Sequence, residues 1–367
     1  MHFLLILTFS VLALQVFFLA LFIYAFSKKQ KVGPLAPWPP VSVIVAAHDE
    51  EQNLRELLPL LLEQDHREFE VIVVEDRSND GTFDYLLEAT KQDARLKMVR
   101  VVYKPEHIHG KKFALTLGIK AARYHWMLLT DADCRPASKS WIRRMSEQAL
   151  ESKIILLGFS PYIKYPGLLN SFVRFESFLT GIQFIGMALI GKPYMGVGRN
   201  LAYRKALFLE NKGFNDLLGI TGGDDDLFVN RHATAANTGV CFGAEALVLS
   251  KPKTSWKAFY FQKLRHLSAG KHYKFSDRII LGLFSLSWVV LWVLIVPMMI
   301  FSPLREWIAA AFLFRWMMLI YLFNTVPRKL GDSFEAWKVP FLDFIYAFYY
   351  LVAGLIALVS KKVRWKI

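Results

Sequence analysis

Residues 3–26 read FLLILTFSVLALQVFFLALFIYAF, 24 positions without a charged side chain. At about 1.5 Å per residue, a helix of that length crosses a hydrocarbon core of roughly 30 Å, so the stretch is expected to span a membrane. It has no basic segment before it and no Ala-x-Ala-like exit, which favours a retained anchor over a cleaved signal peptide. Lys28, Lys29 and Lys31 follow at once, and the positive-inside rule then places the next segment in the cytoplasm. The composition agrees with a membrane protein. With 54% hydrophobic residues, 15% aromatics and a mean hydropathy of +0.29, the chain is too apolar for an ordinary cytosolic domain or for disorder.

Three further apolar runs close the chain, at 279–301, 308–326 and 339–360, separated by Pro303 and by 327–338. Four full spans would carry the basic tail (Lys361, Lys362, Arg364, Lys366) outside, against the positive-inside rule, so one run is expected to be re-entrant or interfacial. Arg315 in the third run and Asp343 in the fourth can pair across helices. Their distances from the shared loop differ by about five residues, roughly 8 Å at helical rise, and snorkelling closes part of that gap. The competing reading puts Asp343 near the membrane interface.

Between these runs lie about 240 residues in which apolar strand patterns alternate with helical ones, the signature of a mostly parallel sheet with helices on both faces. The Pro-rich stretch 33–40 is a stiff linker. Strands are expected at 41–47, 71–74, 98–103 and 126–130, and helical periodicity follows through Leu54, Leu57, Leu58, Leu61 and Leu62. The organisation is then an anchor (1–27), a linker (28–40), an α/β domain (41–250), an amphipathic interfacial segment (251–278) and a C-terminal transmembrane region (279–367). Two cysteines, Cys134 and Cys241, make neither a disulfide framework nor a Cys-x-x-Cys metal site.

Ligands of open α/β sheets sit beyond the carboxyl ends of the strands, and acids fall there: Asp49-Glu50 after the first strand, Glu75-Asp76 after the second, Asp131-Ala132-Asp133 after the fourth. In extended chain, Asp131 and Asp133 face one way and Ala132 the other. Such oxygen ligands suit Mg²⁺ or Mn²⁺ rather than zinc. His109-Gly110-Lys111-Lys112 opens a helical run and can put a lysine and a helix N-terminus near a diphosphate; a solvated helix start is the alternative. The histidines at 107, 109, 125, 232 and 272 form no metal pattern, and Cys134 reads as a small space-filler. The formal charge of +14 concentrates at 28–31, 251–274 and 361–366, beside the hydrophobic runs. An anionic lipid surface explains that placement better than nucleic acid. The turn AAHDEE lacks glycine, which argues against a dinucleotide-binding dehydrogenase.

Taken in order, VSVIVAAHDEE, VIVVEDRSNDGT, GKKFALTLGI, LLTDAD, GRNLAYRK and GGDDDLF resemble the membrane-bound family 2 glycosyltransferases with a GT-A fold, over residues 41–272. The resemblance implies a nucleotide-diphosphate sugar donor, a divalent metal and inversion at the anomeric carbon. It places the nucleoside at Glu50 and Glu75-Asp76, the metal and diphosphate at Asp131 and Asp133, and Lys111 near the donor. Setting Leu227 on the family's Glu-Asp-x-Asp/Glu-Leu makes Asp224 the general base, with Gly223 where Glu is common and Asp225 as the rival. The alternative for Asp224-Asp225-Asp226 is a helix start stabilised by the dipole.

Gln262-Lys263-Leu264-Arg265-His266 is similar to the Gln-x-x-Arg-Trp motif of the same group, with Arg265 as a planar donor fork for the leaving diphosphate. His266 replaces the motif's Trp, which weighs against processive polymerisation. The stretch 256–274 suits an amphipathic helix at an anionic membrane surface, and 159–194, notably 178–190, reads as a second interfacial or acceptor-side element or as core. The expected function is transfer of one sugar to a lipid or lipid-linked acceptor, with the catalytic domain cytoplasmic. Its alternatives are a processive polysaccharide synthase and a non-catalytic nucleotide-sugar-binding scaffold.

Overall fold

The computed structural model describes residues 2–28, 38–105, 108, 110–220 and 222–359. Lys29, Lys31, most of the Pro-rich linker, His107, His109 and the basic tail 361–366 lie outside the described residues. In chain order the elements are α1 (His2–Ser27), β1 (Val41–Ala47), α2 (Glu51–Leu62), β2 (Phe69–Glu75), α3 (Thr82–Gln92), β3 (Leu96–Arg100), α4 (Gly110–Ala121), β4 (Trp126–Asp131), β5 (Cys134–Pro136), α5 (Trp141–Ser146), β6 (Ile155–Gly158), α6 (Leu168–Leu189), β7 (Leu201–Arg204), α7 (Lys205–Glu210), α8 (Asp226–His232), β8 (Thr238–Cys241), β9 (Val248–Ser250), α9 (Trp256–Gly270), α10 (Phe275–Phe301), α11 (Arg305–Leu330) and α12 (Val339–Val359). They group into an α/β unit, Gln30–Ile163 with Gly191–Pro252, and a helical unit, Met1–Lys29 with Lys164–Ile190 and Lys253–Ile367.

In the α/β unit seven strands run in the order β3-β2-β1-β4-β7-β6-β8, and β5 pairs with β9 in a separate ribbon. β1 pairs in parallel with β2 and with β4, and β2 with β3. β7 is antiparallel to both neighbours. The fold is therefore α/β with a mostly parallel sheet, as the apolar runs imply: strands covered on both faces need side chains such as Val43, Ile44, Val45, Val71, Ile72 and Val73, all fully buried, on every position. Gly118 lets α4 lie close on this sheet, since a Cβ there would come within 2.8 Å of Ile44 and Val74. The third strand starts and ends earlier than its apolar pattern predicts. Its partner β2 stops at Glu75, opposite Arg100, and the last bond is Val101 N–H to Glu75 O at 2.9 Å. Beyond it Val102 and Tyr103 have no ladder to join and are exposed.

Among the described residues the helical unit holds five helices long and apolar enough to cross a membrane by length and composition, namely α1, α6, α10, α11 and the segment Ala336–Ile356. α6 was readable from sequence as interfacial or as core, and it forms the core of this unit. Phe172, Val173, Phe175, Phe178 and Ile182 are buried along it, and its charged residues are matched: Arg174 pairs with Asp332 at 2.8 Å and Glu176 with Lys263 at 2.5 Å.

The Arg315–Asp343 pair forms: both side chains are 0% exposed and joined by two bonds, of 2.6 and 2.9 Å. The offset read from sequence is absorbed by the connection after Leu330. It folds back so that Ala336–Lys338 packs on α11, and α12 begins part-way along α11. Gln15 of α1 accepts from Arg315 at 3.3 Å and donates to Ser287 of α10 at 2.6 Å, Trp316 donates to Asp343 at 2.8 Å, and the guanidinium lies 4.6 Å from the Trp288 ring centroid. Four helices thus meet on one satisfied polar network.

Removing one member of a buried pair leaves an uncompensated charge, at a cost of about 3–5 kcal/mol. Arg315→Met is expected to lower the unfolding midpoint sharply in detergent or nanodiscs. Arg315→Met combined with Asp343→Leu is expected to recover most of the loss, as a double-mutant cycle measures.

Candidate active site

Because β2, β1 and β4 lie side by side and in parallel, their carboxyl ends reach one edge of the sheet, and the three acidic turns arrive together as the sequence implies. The first two turns are stitched to each other. Asp49 Oδ1 accepts from Asn79 N–H at 2.7 Å, Glu50 N–H donates to Thr82 Oγ1 at 3.0 Å, and His48 Nδ1 meets Asp76 O at 2.6 Å. Asp49 and Arg77 both take φ of 56°, a conformation that non-glycine residues rarely hold outside special turns. Glu75 is buried and accepts from Ser78 N–H at 2.5 Å, Asp76 holds Arg77 at 2.8 Å, and Glu50 accepts from Asn53 at 2.6 Å. Gly110 starts α4 against Asp76, where a Cβ would lie 2.7 Å from Oδ2. This close approach sets Lys111, the next residue, beside the acids.

The second cluster is built on Lys111. Its Nζ lies 2.8 Å from Asp131 Oδ1 and 3.5 Å from Asp224 Oδ2. Burial disfavours the ammonium, yet Asp131, Asp224 and Asp225 together hold its pKa well above the ordinary lysine value. Burial likewise opposes ionisation of Asp131, but Lys111 and then Arg199 keep that carboxyl below its usual range. Ligand atoms of Asp131, Asp133 and Cys134 lie within 4.8 Å of one another. The two carboxylates meet across a turn rather than along extended chain, since β4 ends at Asp131 and β5 begins at Cys134, and Ala132 is buried as its position predicts. Burial pushes the Cys134 thiol well up, leaving hard carboxylate oxygens as the donors for a cation. That donor set fits Mg²⁺ or Mn²⁺.

The three acids at 224–226 divide their roles. Asp225 caps α8: its Oδ1 accepts from Asp226 N–H at 2.8 Å and its Oδ2 from Gly198 N–H at 2.7 Å, with burial and then Asp224 pushing its carboxyl above the ordinary value. Asp226 Oδ1 accepts from Leu227 N–H at 2.7 Å. The helix-start reading thus holds for Asp225 and Asp226, whereas Asp224 precedes the helix and faces Lys111. Gly223, with φ of 80°, is where the chain turns into this acid.

Two further residues take places that the sequence does not indicate. Lys112 is 1% exposed and donates to the carbonyls of Leu217 and Ile220, tying α4 to the segment that leads to Gly222-Gly223-Asp224. Burial lowers its ammonium to about 8, and the solvated helix start is corrected for both lysines. Arg199 lies over the Tyr162 ring, 4.6 Å from its centroid, and interacts electrostatically with Asp131 and Asp133. Its only signal in the sequence is its place in GRNLAYRK. Gln262 and Arg265 lie on α9 in the helical unit, a different unit from the acidic cluster.

Comparison with known proteins follows the same lines. The family described as glycosyl transferase family 2 matches residues 42–210, and glycosyl transferase family group 2 matches 165–325. An uncharacterised glycosyltransferase of Haemophilus influenzae is 33% identical over 107 residues, 29% of this chain and 32% of the relative. A poly-beta-1,6-N-acetyl-D-glucosamine synthase of Staphylococcus epidermidis is 31% identical over 93 residues, 25% of this chain and 21% of the relative. The chain spans about a third or less of these curated relatives. The mannosyltransferase PcManGT from Pyrobaculum calidifontis, solved with GDP-Man and Mn²⁺, superposes with a TM-score of 0.66 at 16% identity, covering 98% of this chain and 99% of that one. That likeness is one of fold. With two overlapping family matches that together run from 42 to 325, a GT-A-like architecture and the acidic turns in the family's order, the chain belongs to glycosyl transferase family 2.

Proposed function

We propose that this protein is a membrane-anchored inverting glycosyltransferase that moves one sugar from a nucleotide-diphosphate sugar to a lipid or lipid-linked acceptor. The observation that carries the reading is the Lys111 ammonium held between Asp131 and Asp224, at 2.8 and 3.5 Å. It joins the acid pair suited to a metal-bound diphosphate to an acid suited to deprotonating an acceptor. Both oxygens of Asp225 are engaged by backbone N–H groups, so Asp224 takes the role of general base. In this scheme Asp224 accepts the proton of the acceptor hydroxyl, whose oxygen forms the new bond to the anomeric carbon. The bond from that carbon to the diphosphate breaks, and its electron pair leaves with the phosphate oxygen. Lys111 offsets negative charge at the same place. Asp131 and Asp133 would hold Mg²⁺ or Mn²⁺, which when bound stabilises charge on the departing diphosphate. Glu50, Glu75 and Asp76 are proposed to hold the nucleoside, and Gln262 and Arg265 to serve the diphosphate.

Membrane attachment is supported by the long apolar helices. A cytoplasmic catalytic domain is supported by the lysines that follow α1. The apolar helices also favour a lipid-linked acceptor, since such an acceptor is already held at the membrane. The likeness to a polysaccharide synthase supports a processive reading, against which His266 weighs; product length separates the two.

Full-length protein in native-lipid nanodiscs is expected to release nucleotide from one member of a panel of UDP-, GDP- and CDP-sugars with Mn²⁺ or Mg²⁺ and to stop with EDTA. Folded protein that releases nothing from any donor in the presence of lipid extract would favour the scaffold reading. Asp224→Asn is expected to lower kcat by about 10²–10⁴-fold with donor affinity largely kept, whereas Asp133→Ala abolishes metal-dependent donor binding. The reverse pattern, by calorimetry and turnover, would exchange the two roles. Lys112→Met releases the segment before Asp224 and is expected to cut kcat about tenfold or more, an effect seen in turnover rather than in donor affinity.

A further inference from the structure

Arg199 is built into the acidic edge of the α/β unit by both of its neighbours. Gly198 N–H donates to Asp225 Oδ2 at 2.7 Å, and the Asn200 amide donates to Phe159 O at 2.8 Å and Ala246 O at 2.9 Å while accepting from Trp141 Nε1 at 3.0 Å. The backbone that carries the guanidinium is therefore held on three sides. Its ring partner is held as well, because Tyr162 bridges to Ser250 and Ile163 N–H donates to Ser250 O at 3.0 Å. The Tyr162 ring face, its centroid 4.6 Å from the guanidinium carbon, attracts the cation without taking up its N–H donors. Among the described residues, buried Nη1 has no hydrogen-bond partner. A buried donor without an acceptor is costly, and native sites tend to keep one where a ligand completes it.

Asp131 and Asp133 interact with Arg199 electrostatically, yet no carboxylate oxygen takes the Nη1 donor. The acceptor that fits is planar-fork compatible, anionic and able to come close to two carboxylates. A phosphoryl group accompanied by a divalent cation meets all three conditions. We infer that Arg199 is a phosphoryl-binding residue, donating from Nη1 to a phosphate oxygen beside the Asp131–Asp133 pair. The inference deepens the transferase reading and rests on it for the identity of the phosphate, which comes either from the diphosphate of the donor or from a phosphorylated lipid acceptor.

The test uses full-length protein in nanodiscs with Mn²⁺, as wild type, Arg199→Gln and Arg199→Lys. Calorimetry measures UDP, GDP and CDP, their monophosphates, inorganic pyrophosphate and a polyprenyl phosphate. If the donor supplies the phosphate, Arg199→Gln binds the preferred nucleoside diphosphate at least about tenfold more weakly. Its affinity for the matching monophosphate then changes less than about threefold, which shows that the variant is folded. Arg199→Lys, which keeps the charge and loses the fork, falls between. A loss confined to the polyprenyl phosphate assigns the residue to the acceptor. Arg199-dependent binding of pyrophosphate with no nucleotide bound by any form keeps the phosphoryl site and overturns the transferase reading. Unchanged affinities for all probes in Arg199→Gln overturn the inference, leaving Arg199 as a counter-charge to the acids. Wild type that binds none of the probes overturns both.

Discussion

The site depends on one constraint, the parallel pairing of β1 with a strand on each side. Ala47 is opposite Glu75 and Ala46 opposite Asp131, so three strands stop at nearly the same level and whatever follows each is delivered to the same edge. Parallel strands need long crossovers, and here α2, α3 and α4 supply them. α4 repays its crossover length by bringing Gly110 against Asp76 and Lys111 against Asp131. The pairing of strands and the chemistry of the site are thus one geometric fact.

Charge balance organises what arrives there. Four carboxylates, Asp131, Asp133, Asp224 and Asp225, face Lys111 and Arg199, and the acids answer differently. Asp131 is held ionised by its cations, while Asp225 is pushed up by burial and by Asp224 and is tied to backbone N–H groups. Such separation of neighbouring acids lets one act structurally while another stays available for chemistry. Lys112 belongs to the same arrangement. It sits one residue from Lys111 and turns inward to two carbonyls, so adjacent lysines of a single helix start face the acids and the scaffold respectively.

The helical unit solves a different problem with similar means. Polar side chains among long apolar helices are tolerated when matched, and here each buried charge has a partner: Arg315 with Asp343, Arg174 with Asp332, Glu176 with Lys263. Gln15, with both ends of its amide engaged, extends the first of these pairs from α11 and α12 to α1 and α10. These contacts are directional, whereas apolar packing among Leu, Phe and Val is not.

Much of this was legible in the linear chain because it depends on local periodicity. The long uncharged runs, the continuous apolar strands and the acids that follow them follow directly from side-chain period and from strand-end placement. The resemblance of the motifs added the family. Arg315 and Asp343 could be named as partners because charges in such runs are rare. What the sequence could not decide was set by contacts between segments far apart in the chain. β3 ends where β2 stops, not where its apolar residues end. Asp224 and Asp225, identical side chains one position apart, are told apart by Gly198, which lies 27 residues away and captures one of them. Lys112 is buried because Leu217 and Ile220 turn their carbonyls toward it, and Arg199 has its place over the Tyr162 ring. Periodicity is written locally; the partner that satisfies a polar group is supplied only when the chain has folded.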